Sequence, residues 1–388
     1  MVGTWGQLLF PKPWKEFRLW YDEHKTKNIK PIIEHMVTTG WYKKMGERIW
    51  TPWFIKFIHA RGYFNIYTNL LHERALSVSH RDTGVNYGKT AGPDSHLIDK
   101  SSLDIDLWEM QLLKNLKWYD FCFREVLPNR VVKSSQELKP VFNSWKNQKT
   151  VVLVSLYRTT QTFTRNLICH LERLNLQNYI FIGDNLEFLL DLARRGHPVI
   201  DAGQFINEIK QYKSEDEQMN EVLVKAHLIR TCLQYGYSSW VFDENVIPLS
   251  HSILQPPEIA YDFFASKQVE LFYVKDSPTS REIWSRDFLY RLVKTAGSLT
   301  GTDRRFTQVA LKALNSEGTQ VKMIDELSSS LKLDQNFISG SLSDGSKKMV
   351  FWSAGIDVDS IHRKLEEGDL WLIDGDSSCK AVVCHKSL

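Results

Sequence analysis

The amino-acid sequence predicts an α/β protein with a mostly parallel sheet flanked by helices. From residue 150 onward, short apolar segments alternate with longer segments of helical periodicity, which is typical of strands connected through helices. Several of the short segments are apolar at consecutive positions, as expected for strands that are covered on both faces. The chain has no internal repeat at solenoid spacing, so a solenoid architecture is excluded.

The predicted elements of this part follow in order along the chain. Residues 151–156 are the first strand, and Phe163, Leu167 and Leu171 at helical spacing indicate the helix after it. The further segments expected as strands are 179–182, 197–200, 240–242, 269–274, 321–324 and 349–352. Helices are expected at 162–174, 185–195, 222 to the turn at Gly236, 281–295, 303–314 and 361–365, and a terminal hairpin joins 370–373 to 381–384.

The N-terminal part is rich in aromatic residues, since nine of the 13 Trp precede residue 150. Residues 14–22 suit a helix, and 50–62 suit a helix that ends at Gly62 and is followed by a strand at 63–68. The polar, Gly-rich segment 77–104 is expected to be a long loop. The aromatic side chains form either a buried core, the more frequent case, or a surface that stacks on sugar rings.

These patterns divide the chain into three regions. Residues 1–125 form the aromatic-rich N-terminal region, and the polar, basic segment 126–149 is a linker or a short helix. Residues 150–388 form the α/β domain.

Composition narrows the class of protein. With 43% hydrophobic and 24% charged residues among 388, the chain is globular rather than disordered. A net charge of +3, without a basic stripe or a known module, indicates no nucleic-acid partner. No run of about 18 apolar residues predicts a membrane span. The N-terminus lacks the features of a signal peptide, and its abrupt aromatic start indicates a chain that begins inside a longer architecture.

The five Cys are too few and too scattered to predict a disulfide framework. Cys122, Cys169 and Cys232 lie in apolar sequence, which favours small buried thiols over chemistry. Cys379 and Cys384 flank the terminal strand without a zinc-site spacing.

Polar residues follow the first two strands of the α/β part. Arg158, Thr159 and Thr160 lie between the first strand and its helix, where free amides and the helix dipole favour phosphate. Asp184 and Asn185 follow the second strand in the same way. Helix capping is the alternative for the threonines and for the Asp184–Asn185 pair.

Asp243 and Asn245 follow the strand 240–242, at the edge where open α/β sheets bind ligands. A carboxylate and an amide oxygen here are able to bind a divalent cation, although an Asn in place of a second acid weakens such a site. A structural turn is the alternative. Lys225 and Arg230 lie on the preceding helix, where side chains of a surface helix are usually solvated. Asp303 and Arg304 open a later helix.

Other common chemistries are not indicated. No glycine-rich dinucleotide fingerprint or P-loop follows a strand, and no GxSxG or HExxH motif occurs. The 12 His show no metal-ligand spacing.

Taken together, residues 150–327 resemble the nucleotide-diphospho-sugar transferase domain of plant glycosyltransferases with the GT-A fold. The resemblance lies in the order of the segments VVLVSLY, NYIFIG, RRGHPVID, GYSSWVFDENVIPL, VELFYVKDSP, TDRRFTQVAL and VKMIDELS. Residues 1–125 are similar to a block that precedes this domain in a little-characterised plant subgroup.

The resemblance implies a site and a location. An acid-x-acid pair, here Asp243 and position 245, holds Mn²⁺ or Mg²⁺ on the nucleotide sugar in such enzymes. The segment at Asp303 and Arg304 lies near donor or acceptor, and the relatives are type II membrane proteins of the Golgi. This chain departs from the pattern at Asn245, at Arg304 and in having no anchor, and the last departure indicates a truncated gene model or an unusual location.

Two hypotheses follow. The first is a glycosyltransferase that moves a sugar from a nucleotide-diphospho-sugar to a cell-wall polysaccharide or glycoprotein acceptor. A UDP-sugar is the expected donor. Arg158 or Lys225 then adds positive charge against the leaving diphosphate. The second is a catalytically weak or inactive homologue that acts as a binding or assembly partner, as the substitution at Asn245 predicts.

Overall fold

The structure of the protein is a computed structural model. It describes residues 9–67, 74–75, 96–97, 112, 115–120, 122, 125–127, 130–145, 148–243, 245–254, 260–266, 271–299, 304–324, 330–333, 347–353 and 356–385.

The strands, in chain order, are β1 (Ile32–Glu34), β2 (Arg74–Ala75), β3 (His96–Leu97), β4 (Val131–Val132), β5 (Thr150–Ser155), β6 (Tyr179–Gly183), β7 (Val199–Asp201), β8 (Ser238–Phe242), β9 (Val246–Pro248), β10 (Phe263–Ala265), β11 (Leu271–Val274), β12 (Lys322–Met323), β13 (Ser330–Lys332), β14 (Met349–Phe351) and β15 (Ala381–Val383).

The α-helices are α1 (Pro11–Thr26), α2 (Val37–Met45), α3 (Thr51–Arg61), α4 (Leu138–Ser144), α5 (Gln161–Arg173), α6 (Leu186–Arg194), α7 (Ala202–Phe205), α8 (Glu217–Gln234), α9 (Pro278–Ile283), α10 (Arg286–Gly297), α11 (Phe306–Ser316) and α12 (Val358–Glu367). Short 3-10 helices lie at Gly46–Arg48, Ser135–Glu137, Ile206–Tyr212 and His251–Leu254.

The central sheet confirms the predicted mixed α/β fold with a mostly parallel sheet. Its eight described strands have the order β12-β10-β11-β8-β5-β6-β7-β4. Strand β11 pairs antiparallel with both of its neighbours, and the other pairs are parallel. The central strands β5, β6 and β8 are apolar at consecutive positions because both of their faces are buried.

Helices cover both faces of this sheet. On one face, α4, α8, α10 and α11 pack against alternate strand residues such as Leu153 and Val241. On the other face, α5 and α6 pack against the residues between them, such as Val154 and Phe242. This period-two division of the strands is what sets the direction of each side chain at the strand ends.

Part of the expected linker belongs to this sheet. Strand β4 is its edge strand and pairs with β7. Leu138, Val141 and Phe142 of α4 are buried in the same core. The division of the chain into three regions stays a prediction.

A small sheet and the C-terminal segment complete the α/β part. Strands β13, β14 and β9 form a three-stranded sheet beside the carboxyl end of β8. The predicted terminal hairpin is present only as an antiparallel bridge between Ile373 and Cys379. Strand β15 pairs instead with β1, in parallel, because the C-terminal segment continues into the N-terminal region.

Within the described residues, aromatic side chains of the N-terminal region form a buried core, the more frequent of the two alternatives. Phe17, Trp20, Trp53 and Phe57 are almost completely buried between α1 and α3. The C-terminal segment packs against them, since Val382 belongs to the same cluster.

Ion pairs bind the C-terminal segment to the N-terminal helices. The buried ammonium of Lys56 contacts Asp374 Oδ2 at 2.5 Å and the carbonyl of Lys380 at 3.0 Å. Trp20 Nε1 donates to Asp376 Oδ2 at 2.8 Å. The terminal turn is therefore an anchor for α1 and α3.

Two disulfides correct the prediction of buried thiols at Cys122 and Cys169. Cys122 is bonded to Cys384 and Cys169 to Cys379, with Cα atoms 5.2 and 5.6 Å apart. The sequence did not indicate these pairs because their members are 262 and 210 residues apart and only the fold brings them together. Cys232 is a buried free thiol, as predicted.

Several predicted boundaries were wrong. Residues 63–67 form no strand, and residue 68 lies outside the described residues. The helix predicted at 281–295 is two helices, since Ser277 caps α9 through Ser280 and the chain turns at Trp284. Helix α11 begins at Phe306 rather than at residue 303. Apart from β3, the long loop predicted at 77–104 lies outside the described residues.

No helix in the described part of the chain combines the length and the apolar composition that crossing a bilayer requires.

Candidate functional site

The candidate site begins where two neighbouring parallel strands end. Ser155 is the last residue of β5, and Asp243 directly follows β8. Leu153 and Val241, two residues earlier, lie in the core on the α8 face of the sheet. Because side chains alternate along a strand, Ser155 and Asp243 also point toward α8.

Helix α8 contributes two charged side chains to the same place. Glu221 and Lys225 are separated by one helical turn, so both face the strand ends. Lys225 Nζ lies 2.5 Å from Asp243 Oδ1 and 2.5 Å from Glu221 Oε1. Both Lys225 and Asp243 are completely buried.

Arg158, in the turn after β5, closes the arrangement. Its guanidinium donates to both oxygens of Glu221, at 2.7 and 2.9 Å, and to Asp243 Oδ2 at 3.2 Å. Ser155 Oγ lies 3.4 Å from Glu221 Oε1. We call these five residues, Ser155, Arg158, Glu221, Lys225 and Asp243, the charge cluster. The side chain of Arg158 is 29% exposed, whereas those of Glu221, Lys225 and Asp243 are at most 4% exposed. Solvent therefore meets the cluster mainly at Arg158.

The charge cluster changes the pKa of the Asp243 carboxyl and that of the neighbouring Tyr157 hydroxyl. Burial alone raises the pKa of the Asp243 carboxyl, but the charges of Lys225 and Arg158 outweigh burial and hold this pKa below its ordinary value. Burial, followed by the negative charge of Glu221, raises the pKa of the Tyr157 hydroxyl. Asp243 is thus ionised and Tyr157 neutral at physiological pH.

Asn245 is held by the small sheet. Its side-chain Nδ2 donates to the main-chain carbonyl of Trp352 at 2.7 Å, and the main-chain carbonyl of Asn245 accepts from Trp352 N at 3.2 Å. The side chain is 2% exposed, and within the described part of the chain its Oδ1 has no hydrogen-bond partner. These contacts dock β14 against the carboxyl end of β8, as in the structural-turn alternative.

These residues do not fit the divalent cation that the resemblance implies. Hard cations need several oxygen ligands. Both oxygens of Asp243 already bind cationic side chains of the chain itself. Over the residues that the structure describes, no group of three or more His, Cys, Asp or Glu is arranged to hold a metal ion. A Mn²⁺ or Mg²⁺ cofactor stays an untested prediction.

A cleft adjoins the charge cluster at the end of β5. Its lining residues are mostly apolar: Val154, Ser155, Leu156, Thr159, Phe163, Thr164, Leu167, Val246, Ile247 and Trp352. The rings of Phe163 and Trp352 are 5.9 Å apart. Trp352 is 6% exposed, so the half-buried ring of Phe163 is the aromatic surface that the cleft offers beside the charged edge.

The other predicted binding residues lie at helix starts near this edge. Thr160 caps α5 by accepting from Phe163 N, and Asn185 caps α6 by accepting from Phe188 N. Capping is thus observed for both. Thr159 lines the cleft, and Asp184 is exposed in the turn after β6.

The predicted catalytic pair is described only in part. Asp303 lies outside the described residues. Arg304 donates to Asp216 Oδ2 at 2.5 Å and to the carbonyl of Leu299 at 2.6 Å. Asp216 caps α8, so Arg304 ties the start of α11 to the start of α8.

Sequence reasoning misjudged the environment of α8. Lys225 does not lie on a solvated helix face, because the residues of α8 from Glu221 to Ile229 are buried between the sheet and the outer helices. Glu221 was missed. Its spacing of four residues from Lys225 was the available signal.

No family model and no curated protein matches the chain. Solved structures with a similar fold include the apo-form glycosyltransferase GlyE of Streptococcus pneumoniae, with a TM-score of 0.40 and 9% identity over 59% of this chain and 61% of that one. Mouse xyloside xylosyltransferase 1 matches with a TM-score of 0.35 and 8% identity over 54% of this chain and 99% of that one. The galactosyltransferase LgtC, in complex with donor and acceptor sugar analogues, matches with a TM-score of 0.33 and 9% identity, over 57% of this chain and 95% of that one. This chain thus spans less than two thirds of the GlyE chain.

Proposed function

We propose that this protein is a GT-A-like glycosyltransferase that binds a nucleotide-diphospho-sugar, a UDP-sugar above all, at the carboxyl edge of β5 and β8. The observation that carries the proposal is the convergence of Arg158, Lys225 and Asp243 on this edge. In open α/β sheets this edge is where ligands bind. The acceptor is a glycan or a glycoprotein, with a plant cell-wall polysaccharide as the class that the sequence resemblance favours.

Arg158 is the expected contact for the diphosphate. A guanidinium presents several donors in a fixed plane and suits bidentate binding of phosphate oxygens. The N-terminus of α5 lies three residues further along the chain and favours negative charge. The proposed roles of Thr159, Thr160, Asp184 and Asn185 in binding the donor rest on the same edge of the sheet.

The aromatic cleft supports a place for a ring of the donor or acceptor. Phe163 lines the cleft and is half-buried, and its flat apolar face is of the kind that binds sugars and bases. The assignment of Asp303 and Arg304 to catalysis rests on the sequence resemblance.

The two disulfides support a compartment of the secretory pathway, and we propose the Golgi lumen. Disulfides persist in oxidising compartments and are rare in the reducing cytosol.

Calorimetry with UDP tests the donor site. We expect wild-type protein to bind UDP, and Arg158→Ala to weaken binding by about tenfold or more, since a hydrogen bond to a charged group contributes about 1.5–3 kcal/mol. Arg158→Lys is expected to retain part of the affinity. Arg281→Ala is the matched control, because Arg281 pairs with Asp276 beyond β11, near the amino end of β8. An equal loss of UDP affinity in Arg158→Ala and Arg281→Ala contradicts the placement of the donor site at Arg158.

Hydrolysis of a panel of UDP-sugars tests turnover. Release of UDP from one member of the panel, lost in Arg158→Ala and kept in Arg281→Ala, is the result expected of a glycosyltransferase.

A catalytically weak or inactive homologue that acts as a binding or assembly partner is the second candidate. It is favoured by one observation: Asp243 and Asn245 are already engaged by Lys225, Arg158 and Trp352. Binding of UDP without hydrolysis of any UDP-sugar supports this candidate, and so does the absence of binding.

A further inference from the structure

We propose that the ammonium group of Lys225 takes the place of a divalent metal ion in the charge cluster, so that this site is metal-independent. The proposal deepens the proposed function where it concerns the donor. Its statement about metal binding rests on the geometry of the cluster alone.

The first argument is the position of the ammonium group. Lys225 Nζ bridges Asp243 Oδ1 and Glu221 Oε1, with 2.5 Å to each. A cation shared between two carboxylates is the arrangement by which acidic sites hold Mg²⁺ or Ca²⁺. Lys225 is completely buried, so its charge is compensated by these carboxylates and not by solvent.

The second argument is the balance of charge. The cluster contains two carboxylates, Glu221 and Asp243, and two cationic side chains, Arg158 and Lys225. Its formal charge is zero before any ligand binds. Counted over the described residues, a divalent ion would enter a buried site without excess negative charge, so its desolvation would not be offset.

The third argument is the chemistry of Asn245. The amide at this position is a weaker metal ligand than a second acid, because it brings no charge. Its Nδ2 is fixed by the carbonyl of Trp352. The loss of an acid at 245 and the presence of a buried cation at 225 therefore act in the same direction.

A diphosphate at this edge then meets a cluster of zero formal charge rather than uncompensated carboxylates. Arg158 is the member of the cluster with substantial exposure, since its side chain is 29% exposed. Lys225 keeps Asp243 and Glu221 neutralised from within, which prevents these carboxylates from repelling the phosphates. Binding of the donor is expected to need no added metal.

Two measurements of Mn²⁺ binding test the proposal. The first follows the electron paramagnetic resonance signal of free Mn²⁺ during titration with protein, and the second follows the unfolding temperature in MnCl₂ and in EDTA. Wild-type protein is expected to leave the Mn²⁺ signal and the unfolding temperature unchanged. Stoichiometric Mn²⁺ binding that Asp243→Ala abolishes overturns the proposal.

The variant Lys225→Ala is expected to bind Mn²⁺ where the wild-type protein does not. Lys225→Ala leaves Glu221 and Asp243 without their shared cation, and we expect Mn²⁺ to raise the unfolding temperature of this variant. Lys225→Ala/Asp243→Asn is the matched control, in which the response is expected to disappear. A folded Lys225→Ala protein that does not respond to Mn²⁺ overturns the proposal. If that variant does not fold, the wild-type titration decides.

The UDP arm separates this proposal from the proposed function. The dissociation constant of UDP is expected to be the same in EDTA and in Mn²⁺, and affinity that depends on Mn²⁺ contradicts metal independence. Absence of UDP binding in both solutions contradicts the donor site instead, while the Mn²⁺ titration still decides the role of Lys225.

Discussion

The ammonium group of Lys225 lies 2.5 Å from a carboxylate oxygen of Asp243, and both side chains are completely buried. If its partner is removed, Asp243 keeps Arg158, and Lys225 keeps Glu221, as a charged neighbour. A buried ion pair of this kind contributes little relative to an apolar pair, but breaking it is costly because one charge is left uncompensated. Substitutions in this pair therefore test how strongly the charge cluster contributes to the stability of the fold.

Lys225→Met is expected to lower the free energy of unfolding by roughly 3–5 kcal/mol, since two buried carboxylates then share Arg158 alone. Lys225→Met/Asp243→Leu restores the balance of charge and is expected to recover most of this loss. Urea denaturation measures both. Lys312→Met on the exposed side of α11 is the control, with an expected change within about 0.5 kcal/mol. A double variant no more stable than Lys225→Met contradicts this account.

The state of the cysteines gives a second prediction. Of the five Cys in the chain, four are bonded in pairs and Cys232 is a thiol. Denatured, non-reduced protein is expected to take up one iodoacetamide label, and reduced protein five, by mass spectrometry. More than one label without reduction contradicts the pairing. Cys169→Ala/Cys379→Ala is expected to cost about 2–5 kcal/mol of stability.

Gly62 gives a third prediction at the end of α3. Its φ is +62°, and a Cβ at this position would overlap Arg195 Cγ. Arg194 and Arg195 donate to the carbonyls of Ala60, Arg61 and Gly62 and thus cap the helix. Gly62→Ala is therefore expected to destabilise the protein by roughly 2 kcal/mol or more, from the left-handed conformation and the clash.

Gly40→Ala is the matched control for this substitution. Gly40 lies inside α2, and a Cβ there would meet no atom within 4 Å. The variant is expected to be neutral or more stable by about 0.5–1 kcal/mol, because alanine favours helix. Thermal unfolding of the two variants side by side makes the comparison. Equal stability of Gly62→Ala and wild type contradicts the packing of α3 on Arg195.

Local patterns were sufficient for much of the fold and insufficient for the site. The apolar runs at β5, β6 and β8 predicted central strands because both faces of each strand are buried. The position of Asp243 at the end of β8 followed from the same pattern. The burial of Lys225 did not, because it depends on helices from a later part of the chain that cover α8.

Contacts between distant segments account for the remaining differences. Strand β15 pairs with β1 across almost the whole chain, and Cys169 meets Cys379 over 210 residues. Neither contact leaves a periodic signal near its own residues, so the sequence favoured a local hairpin and separate thiols. Asn245 is similar, since its hydrogen bond to Trp352 depends on where β14 docks.

His170 gives the last prediction, which concerns pH. It lies in α5, is 4% exposed, and its Nε2 donates to the carbonyl of Leu370 at 2.8 Å. Burial lowers the pKa of His170 to about 4, against an ordinary value of 6.5. Between these two values the unfolded chain binds more protons than the folded chain. The contribution of His170 is therefore fully present above pH 6.5, decreases as the pH falls toward 4, and is constant below that.

The lowered pKa of His170 also gives the size of the expected change in stability. A difference of about 2.5 pKa units corresponds to roughly 3 kcal/mol of stability lost between pH 6.5 and 4. His170→Gln retains a side-chain amide donor for Leu370 but does not titrate, so its stability is expected to fall less over this interval by about that amount. Urea denaturation at intervals of pH measures the difference between the two proteins, in which the carboxylates common to both cancel. Parallel pH profiles for wild type and His170→Gln would show that His170 is not buried as a neutral donor, because a histidine with equal access to protons in both states adds no slope.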